Sequence, residues 1–144
     1  MRYLGLDLGS KTLGVALSDR TGLIANGYTV LKHEDDLVSL LPPLEEMIKD
    51  QNIETIILGY PKNMNNTLGL RAKRTEEFKE ILEREFHIPV YLVDERLSTV
   101  SAEKTLLLGN TSRKKRKQVI DAVAATIILQ TYLDLKKEKK ENGK

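Results

Sequence analysis

Residues 3–10 read YLGLDLGS. Leu4, Leu6 and Leu8 alternate with Tyr3, Gly5 and Asp7, and Gly9, Ser10 and Lys11 then break the run, which is the pattern of a strand closed by a glycine turn. This strand brings a carboxylate to its end. An ionised carboxylate withdrawn from water is strongly penalised unless a metal, a positive charge or hydrogen-bond donors accompany it. Asp7 is therefore either a cap that accepts backbone N–H bonds from the following turn, or a metal ligand or phosphate-site residue.

Working outward, a second alternating run spans Leu13 to Ser18, and the turn Asp19-Arg20-Thr21-Gly22 leads into Leu23 to Leu31. Three strands joined by tight turns form an antiparallel meander. Glu34 to Gln51 carries helical apolar spacing at Leu37, Leu40, Leu41, Leu44, Met47 and Ile48. Pro42 and Pro43 interrupt it, so the stretch reads as a kinked helix or as a turn followed by a helix starting near Pro43. Glu54 to Gly59 is a short continuous apolar run, as in a parallel strand buried on both faces. It ends in Gly59-Tyr60-Pro61 and a polar loop, Lys62 to Asn66. A long helix from about Thr67 to Phe86 shows a basic face and an apolar face. Pro89 to Val93 is a fifth strand, ending directly in Asp94-Glu95-Arg96. A helix capped by Ser98 or Thr99 runs to Leu108 and is closed by Gly109. Asn110 to Lys117 reads as a mobile loop, and a last helix covers about Gln118 to Leu135. A meander continued by crossover helices predicts an α/β, five-stranded mixed sheet with helices on both faces, the order of a ribonuclease-H-like fold.

The 144 residues suit a single domain with one substantial core, expected over 1–137, with 138–144 as a flexible basic tail. Zero cysteines exclude disulfides, thiolate catalysis and Cys-ligated zinc, and fit a reducing cytoplasm. No signal-like segment or membrane-spanning run is present, so the expected location is cytoplasmic. The net charge of +2 hides an asymmetry. Arg113 to Lys144 holds ten Lys or Arg against four Asp or Glu, a net +6, whereas the remainder holds thirteen against seventeen, a net −4. The basic end suits an anionic partner.

Three acidic sites fall where strand ends and one helix can gather them. Asp7 ends the first strand, Asp94 and Glu95 end the fifth, and Asp121 lies near the start of the last helix. On that helix Asp121, Ala124, Ala125 and Ile128 share one face, where alanines permit close approach to a sheet. An aspartate in an early turn also complements the helix dipole. Gathered carboxylates repel unless a cation holds them. Without His or Cys they suit hard ions, Mg²⁺ or Mn²⁺. Two such ions roughly 3.5–4 Å apart can clamp a phosphodiester. Asp94 and Glu95 point to opposite faces of an extended strand, and spacing alone leaves open which enters the site. His33 and His87 have no matching ligand nearby in the sequence.

Taken together, Leu4-Gly5-Leu6-Asp7-Leu8-Gly9-Ser10-Lys11 with Gly14-Val15-Ala16, Gly59-Tyr60-Pro61 with Asn65 and Arg71, Asp94-Glu95-Arg96-Leu97-Ser98-Thr99 with Ala102, and Asp121-Ala122-Val123-Ala124-Ala125 resemble the YqgF-type family almost end to end. These are the Holliday-junction-resolvase-like proteins also described as pre-16S rRNA nucleases. The family usually has Gly-Leu-Pro where this chain has Gly59-Tyr60-Pro61. The resemblance implies a ribonuclease-H-like fold, metal-dependent phosphodiester hydrolysis, and a catalytic and metal-binding triad of Asp7, Glu95 and Asp121, with Asp94 as the second choice beside Glu95. In many ribonuclease-H-like enzymes the second acid ends strand four, which here ends without one. A glutamate one strand further, about 4.8 Å away, recovers part of that distance through its longer side chain.

On the substrate side, Lys11, Arg71, Arg74, Arg96 and the cluster Arg113, Lys114, Lys115, Arg116 and Lys117 are candidate phosphate contacts, which give affinity and register without reading sequence. Only 5% of residues are aromatic and none is tryptophan, so a single-strand stacking platform is not expected. The expected partner is structured RNA, the 5′ end of pre-16S rRNA, ahead of branched DNA, with ribosomal precursor particles as a setting and a monomer or homodimer as the state. A four-way junction resolvase would need the dimer. Two other classes compete. A sugar-kinase-like or actin-like ATPase shares the Asp-x-Gly-Ser turn but needs a far longer chain, and a non-catalytic nucleic-acid-binding protein would use the carboxylates structurally.

Overall fold

The strand that carries Asp7, β1 (Arg2–Leu8), is the middle strand of a five-stranded sheet. It pairs antiparallel with β2 (Thr12–Ser18), and β2 pairs antiparallel with the edge strand β3 (Ala25–Lys32). On its other side β1 pairs in parallel with β4 (Ile53–Tyr60), which pairs in parallel with the edge strand β5 (Val90–Asp94). The order β3-β2-β1-β4-β5 is the expected meander extended by crossover strands. The structure, a computed structural model, describes residues 2–34, 36–61, 66–95 and 113–142, with the side chains of 66–68, 113–121 and 138–142 outside that description.

Strand alternation sends two unlike sets of side chains to the two faces. On one face Leu4, Leu6 and Leu8 of β1 pack with Leu13, Val15 and Leu17 of β2 and Ile56 and Leu58 of β4. They are covered by Leu44 of α1 (Leu41–Asp50) and by Phe78 and Leu82 of α2 (Asn66–Phe86). On the other face Tyr3, Ala16, Ala25, Ile57 and Val93 meet Ala124, Ala125, Ile128, Leu129 and Leu133 of α3 (Arg113–Asn142). Helices on both faces of a mixed sheet are thus borne out.

Local chemistry explains where elements begin. Asp36 accepts from the Val38 N–H at 3.1 Å and caps a 3-10 turn over Leu37–Leu40. That turn leads straight into α1, so Pro42 and Pro43 fall in a first helical turn, where a missing N–H costs nothing. α3 departs from expectation at both ends. It starts at Arg113, inside the stretch read as a loop, and continues to Asn142, through most of the stretch read as a tail. Arg, Lys and Glu are all strong helix formers, and that propensity prevails over the charge density that suggested a loop. The helix expected between Ser98 and Leu108 lies outside the described residues. Among the described residues, no helix is long and apolar enough to cross a membrane.

Candidate active site

Asp7 lies on the α3 side of the sheet and is 3% exposed. Its partner across the β1–β2 ladder is Gly14. On the β4 side Leu6 pairs with Leu58, so one step further along both strands Asp7 has Gly59 as its neighbour. The carboxylate at the end of β1 is therefore flanked on both sides by residues with no side chain.

Alternation along β5 decides between the two adjacent acids. Val93 is buried in the α3-side core, and the Tyr91 ring stacks on Tyr132 of α3 with centroids 6.0 Å apart. Odd-numbered positions thus face α3, which turns Asp94, paired with Tyr60, toward the opposite face. Glu95 returns to the α3 side, and its Oε1 lies 3.3 Å from the point a Cβ on Gly59 would occupy. Asp7 Oδ1 and Glu95 Oε1 are both withdrawn from solvent. Two of the three expected acids are thereby brought to one glycine-floored spot, and Asp94 is not.

α3 approaches this spot because glycines let it. A Cβ on Gly5 would stand 2.7 Å from Leu129 Cβ and 3.1 Å from the Ala125 carbonyl, and one on Gly59 would stand 2.3 Å from Ile128 Cδ1. The Gln130 amide fastens the helix to the start of β3, accepting from the Ala25 N–H at 2.8 Å and donating to the Leu23 carbonyl at 3.0 Å. Tyr132 and Tyr3 have ring centroids 5.9 Å apart, and Ala125 and Leu129 sit over Gly5, so α3 runs antiparallel to β1. Two further residues of β1, about 6.7 Å, correspond to between four and five residues of helix at about 1.5 Å each. The turn of α3 that begins at position 121 is therefore level with Asp7. The side chain of Asp121 lies outside the described residues.

The turn after Asp7 is held firmly. Gly9 N–H donates to the Thr12 carbonyl at 2.8 Å, and His33 N–H donates to the Lys11 carbonyl at 2.9 Å. His33 Nε2 is 3.0 Å from the Gly9 carbonyl, which can only accept, so this nitrogen carries a proton. Beside the turn, Leu8, Gly9, Ser10, Leu70, Arg71 and Arg74 line a cleft of about 160 Å³. Arg71 Nη2 reaches the Leu8 carbonyl at 3.5 Å, and Arg74 Nη1 is 3.8 Å from Glu77 Oε2. Lys11 is exposed on the turn. Arg96 and the side chains of Arg113 to Lys117 are outside the described residues. Tyr60, where this chain departs from Gly-Leu-Pro, donates its hydroxyl to Glu76 Oε1 at 2.5 Å, and this bond to a carboxylate raises the phenol above its ordinary pKa.

Among the described residues, no group of three or more His, Cys, Asp or Glu is arranged to hold a metal. The donors that do converge, the buried Asp7 carboxylate and the half-buried Glu95, whose Oε1 is withdrawn from solvent, are all oxygen. That donor chemistry fits a hard divalent cation and not zinc or copper. The sequence points to the candidate acids but not to two features around them. The flanking position of Gly14 and Gly59 is visible only from strand register, and the bond from His33 to the Gly9 carbonyl joins residues 24 apart.

A family model described as RuvX, Holliday junction resolvase, matches residues 1–135. A relative from Geobacillus sp. (strain WCH70) is 52% identical over 137 residues, covering 94% of this chain and 99% of the relative. One from Bacillus subtilis is 53% identical over 135 residues, covering 93% and 98%. Both carry the name "Putative pre-16S rRNA nuclease". Among solved structures, Thermus thermophilus RuvC in complex with a Holliday junction substrate superposes with a TM-score of 0.59 at 16% identity, covering 94% of this chain and 96% of that one. At that identity the likeness establishes a shared RuvC-like fold.

Proposed function

The chain belongs to the RuvX Holliday junction resolvase family, and from that premise we propose that it is a metal-dependent nuclease whose first substrate is structured RNA at the 5′ end of pre-16S rRNA. The observation that carries the reading is the convergence of two carboxylates, buried Asp7 at the end of β1 and half-buried Glu95 just after β5, at one spot beside two glycines. The relatives at about half identity supply the RNA preference through their names.

Asp7, Glu95 and Asp121 are the residues that would hold Mg²⁺ or Mn²⁺, with Asp94 turned away. The bound ion would supply Lewis-acid activation of the scissile phosphate and of water. The protein's own part is positional. Asp7 is fixed by the β1 ladder, and Glu95 projects over Gly59. Arg71, Arg74, Lys11, Arg96 and the basic first turns of α3 are the counter-charges for the backbone. Arg113 to Lys117 precede Asp121 by four to eight residues, about 6 to 12 Å along the helix axis, so α3 carries its positive charge beyond the end of the sheet where the acids gather. The absence of cysteine suits a cytoplasmic setting with ribosomal precursor particles. A second reading, resolution of four-way DNA junctions, follows from the family description and requires a homodimer.

The test is cleavage of a 5′-extended pre-16S RNA and of a four-way DNA junction, each with Mn²⁺ or with EDTA, alongside sedimentation to determine mass. Chelator-sensitive cutting of the RNA by a monomer is expected. Paired, symmetric cutting of the junction by a dimer would favour the second reading, and cutting of neither would overturn both.

A further inference from the structure

We propose that the exposed ring of Tyr91 is a stacking platform for an unpaired base of the RNA substrate, within about four nucleotides of the scissile phosphate. The proposal rests on the nuclease reading and adds to its backbone contacts a contact with a base. The sequence scatters five tyrosines along the chain and gives no sign of a platform. The fold gathers three of them, Tyr3 of β1, Tyr91 of β5 and Tyr132 of α3, on the α3 side of the sheet.

The three rings run from the core to the surface. Tyr3 is buried, its ring lies 5.9 Å from that of Tyr132 at 58°, and Tyr132 is half-buried. Tyr91 stacks on Tyr132 at 6.0 Å and 13°, and it is 49% exposed on an edge strand. Lys136, one helical turn beyond Tyr132, donates to the Tyr3 hydroxyl and stands 4.8 Å from the centre of the Tyr3 ring. The outermost ring is thus held by the two others before any ligand arrives, so stacking a base on it requires little ordering. Aromatic rings beside a cation suit single-stranded nucleic acid, because every base has a π-face and every linkage a negative charge.

Location ties the platform to the acids. Tyr91 and Glu95 are on the same side of the sheet, four residues apart in the chain. Tyr91 pairs with Ile57 and Ile57 with Gly5, so Tyr91 is level with a residue two short of Asp7 and lies two strands to the side. Two residues of strand are about 6.7 Å and two strand spacings about 9.6 Å, which puts the Tyr91 and Asp7 backbones about 12 Å apart. A stacked strand rises about 3.4 Å per nucleotide, so about four nucleotides cover that distance. Tyr28 has the same 49% exposure and supplies a control. It is on the opposite edge strand, and because its neighbour Gly27 faces Thr126 of α3, Tyr28 faces the other side of the sheet.

The experiment uses an RNA hairpin with single-stranded tails at both ends, in which one tail base at a time is replaced by an abasic sugar. The sugar–phosphate chain is intact in every member, so the scan reads bases and not charges. Binding is measured in EDTA, and the cut is mapped on the unmodified hairpin with Mn²⁺. Wild type is expected to lose about tenfold in affinity at one tail position, close to the cut as proposed. Tyr91→Ala and Tyr91→Leu bind the unmodified hairpin as weakly as wild type binds that abasic one, and they no longer sense the position. Tyr91→Phe keeps the ring and retains the sensitivity, and Tyr28→Ala leaves the scan as in wild type. Melting temperatures on the same samples check that each variant is folded, and Tyr91→Leu keeps apolar bulk against Tyr132. A flat scan in wild type, an unchanged scan in Tyr91→Leu, a lost position in Tyr91→Phe, or a sensitive position further from the cut overturns the platform while the nuclease reading stands. A wild type that does not cut the hairpin overturns both.

Discussion

The two faces of the sheet are built from the same strands and do opposite work. Under α1 and α2, leucines from three strands meet Phe78 and Leu82 in a core of large, fully buried side chains. Under α3 the strands offer Gly5, Ala16, Gly59 and an aspartate beside Tyr3, Ile57 and Val93, and the helix sets Ala124 and Ala125 next to Ile128, Leu129 and Leu133. Large side chains hold both faces together, but only the second mixes them with glycines and alanines. The second is kept thin so that a helix backbone and carboxylates from separate strands can meet. The two-residue period of a strand separates the proposed site from the leucine core, with Leu6 and Leu8 flanking Asp7 in sequence and lying on the other side of the sheet in space.

The sharpest way to break this division is to damage each face and ask what is lost. Phe78 is completely buried on the α1/α2 side. Phe78→Ala is expected to cost about 3–5 kcal/mol of stability, read by equilibrium urea unfolding, with cleavage per folded molecule unchanged. On the α3 side, Glu95→Gln is expected to lower cleavage at least about a hundredfold with little change in unfolding midpoint, whereas Asp94→Asn loses less than about tenfold. Equal losses for the two acids would contradict the strand register that separates them.

That pair also marks how far the sequence could be read. The strands in chain order, the opening meander and the positions of the candidate acids are legible because alternation and turn residues are local signals. The choice between Asp94 and Glu95 is not, because it depends on which face Val93 occupies, a tertiary fact. The start of α3 is hidden for a different reason: RKKRK has the look of a polar, basic loop, yet each of its residues favours helix once the helix is stabilised by Ala124, Ala125 and Ile128 packing further along. The glycines beside Asp7 were visible as motif letters, but their purpose emerges only when ladder partners are known.

A subtler probe acts on the thin face itself. Gly59→Ala places a methyl 2.3 Å from the flexible end of Ile128 and 3.3 Å from Glu95 Oε1. Ile128 can move and the carboxylate has less room, so a stability loss of about 1–3 kcal/mol and a roughly tenfold fall in cleavage are expected. Adding Ile128→Val removes the colliding Cδ1, so it should recover stability more than activity, a split that calorimetry and a cleavage assay on the same samples will show.

The smallest effect lies away from both faces. Asp19, in the β2–β3 turn, accepts from the Thr21 hydroxyl and from the Leu23 and Ile24 N–H groups, and these bonds hold its carboxyl below the usual aspartate range. A carboxyl lowered in the folded state contributes stability at pH values above its unfolded pKa, and that contribution is lost as pH falls through the folded value. Asp19→Ala should therefore flatten the acid side of a melting-temperature profile below about pH 4 and leave cleavage at neutral pH untouched.

The central claim is that the α3-side carboxylates constitute a metal-dependent nuclease site, and Asp7→Asn tests it most directly because the change keeps the shape of the side chain and removes its charge. Cleavage of the 5′-extended pre-16S RNA by wild type and by this variant, across a Mn²⁺ titration and with melting temperature measured on the same samples, is the measurement. The account predicts a variant that melts as a folded protein and cuts at least about a hundredfold more slowly at every Mn²⁺ concentration. A folded variant that cuts at the wild-type rate would contradict it.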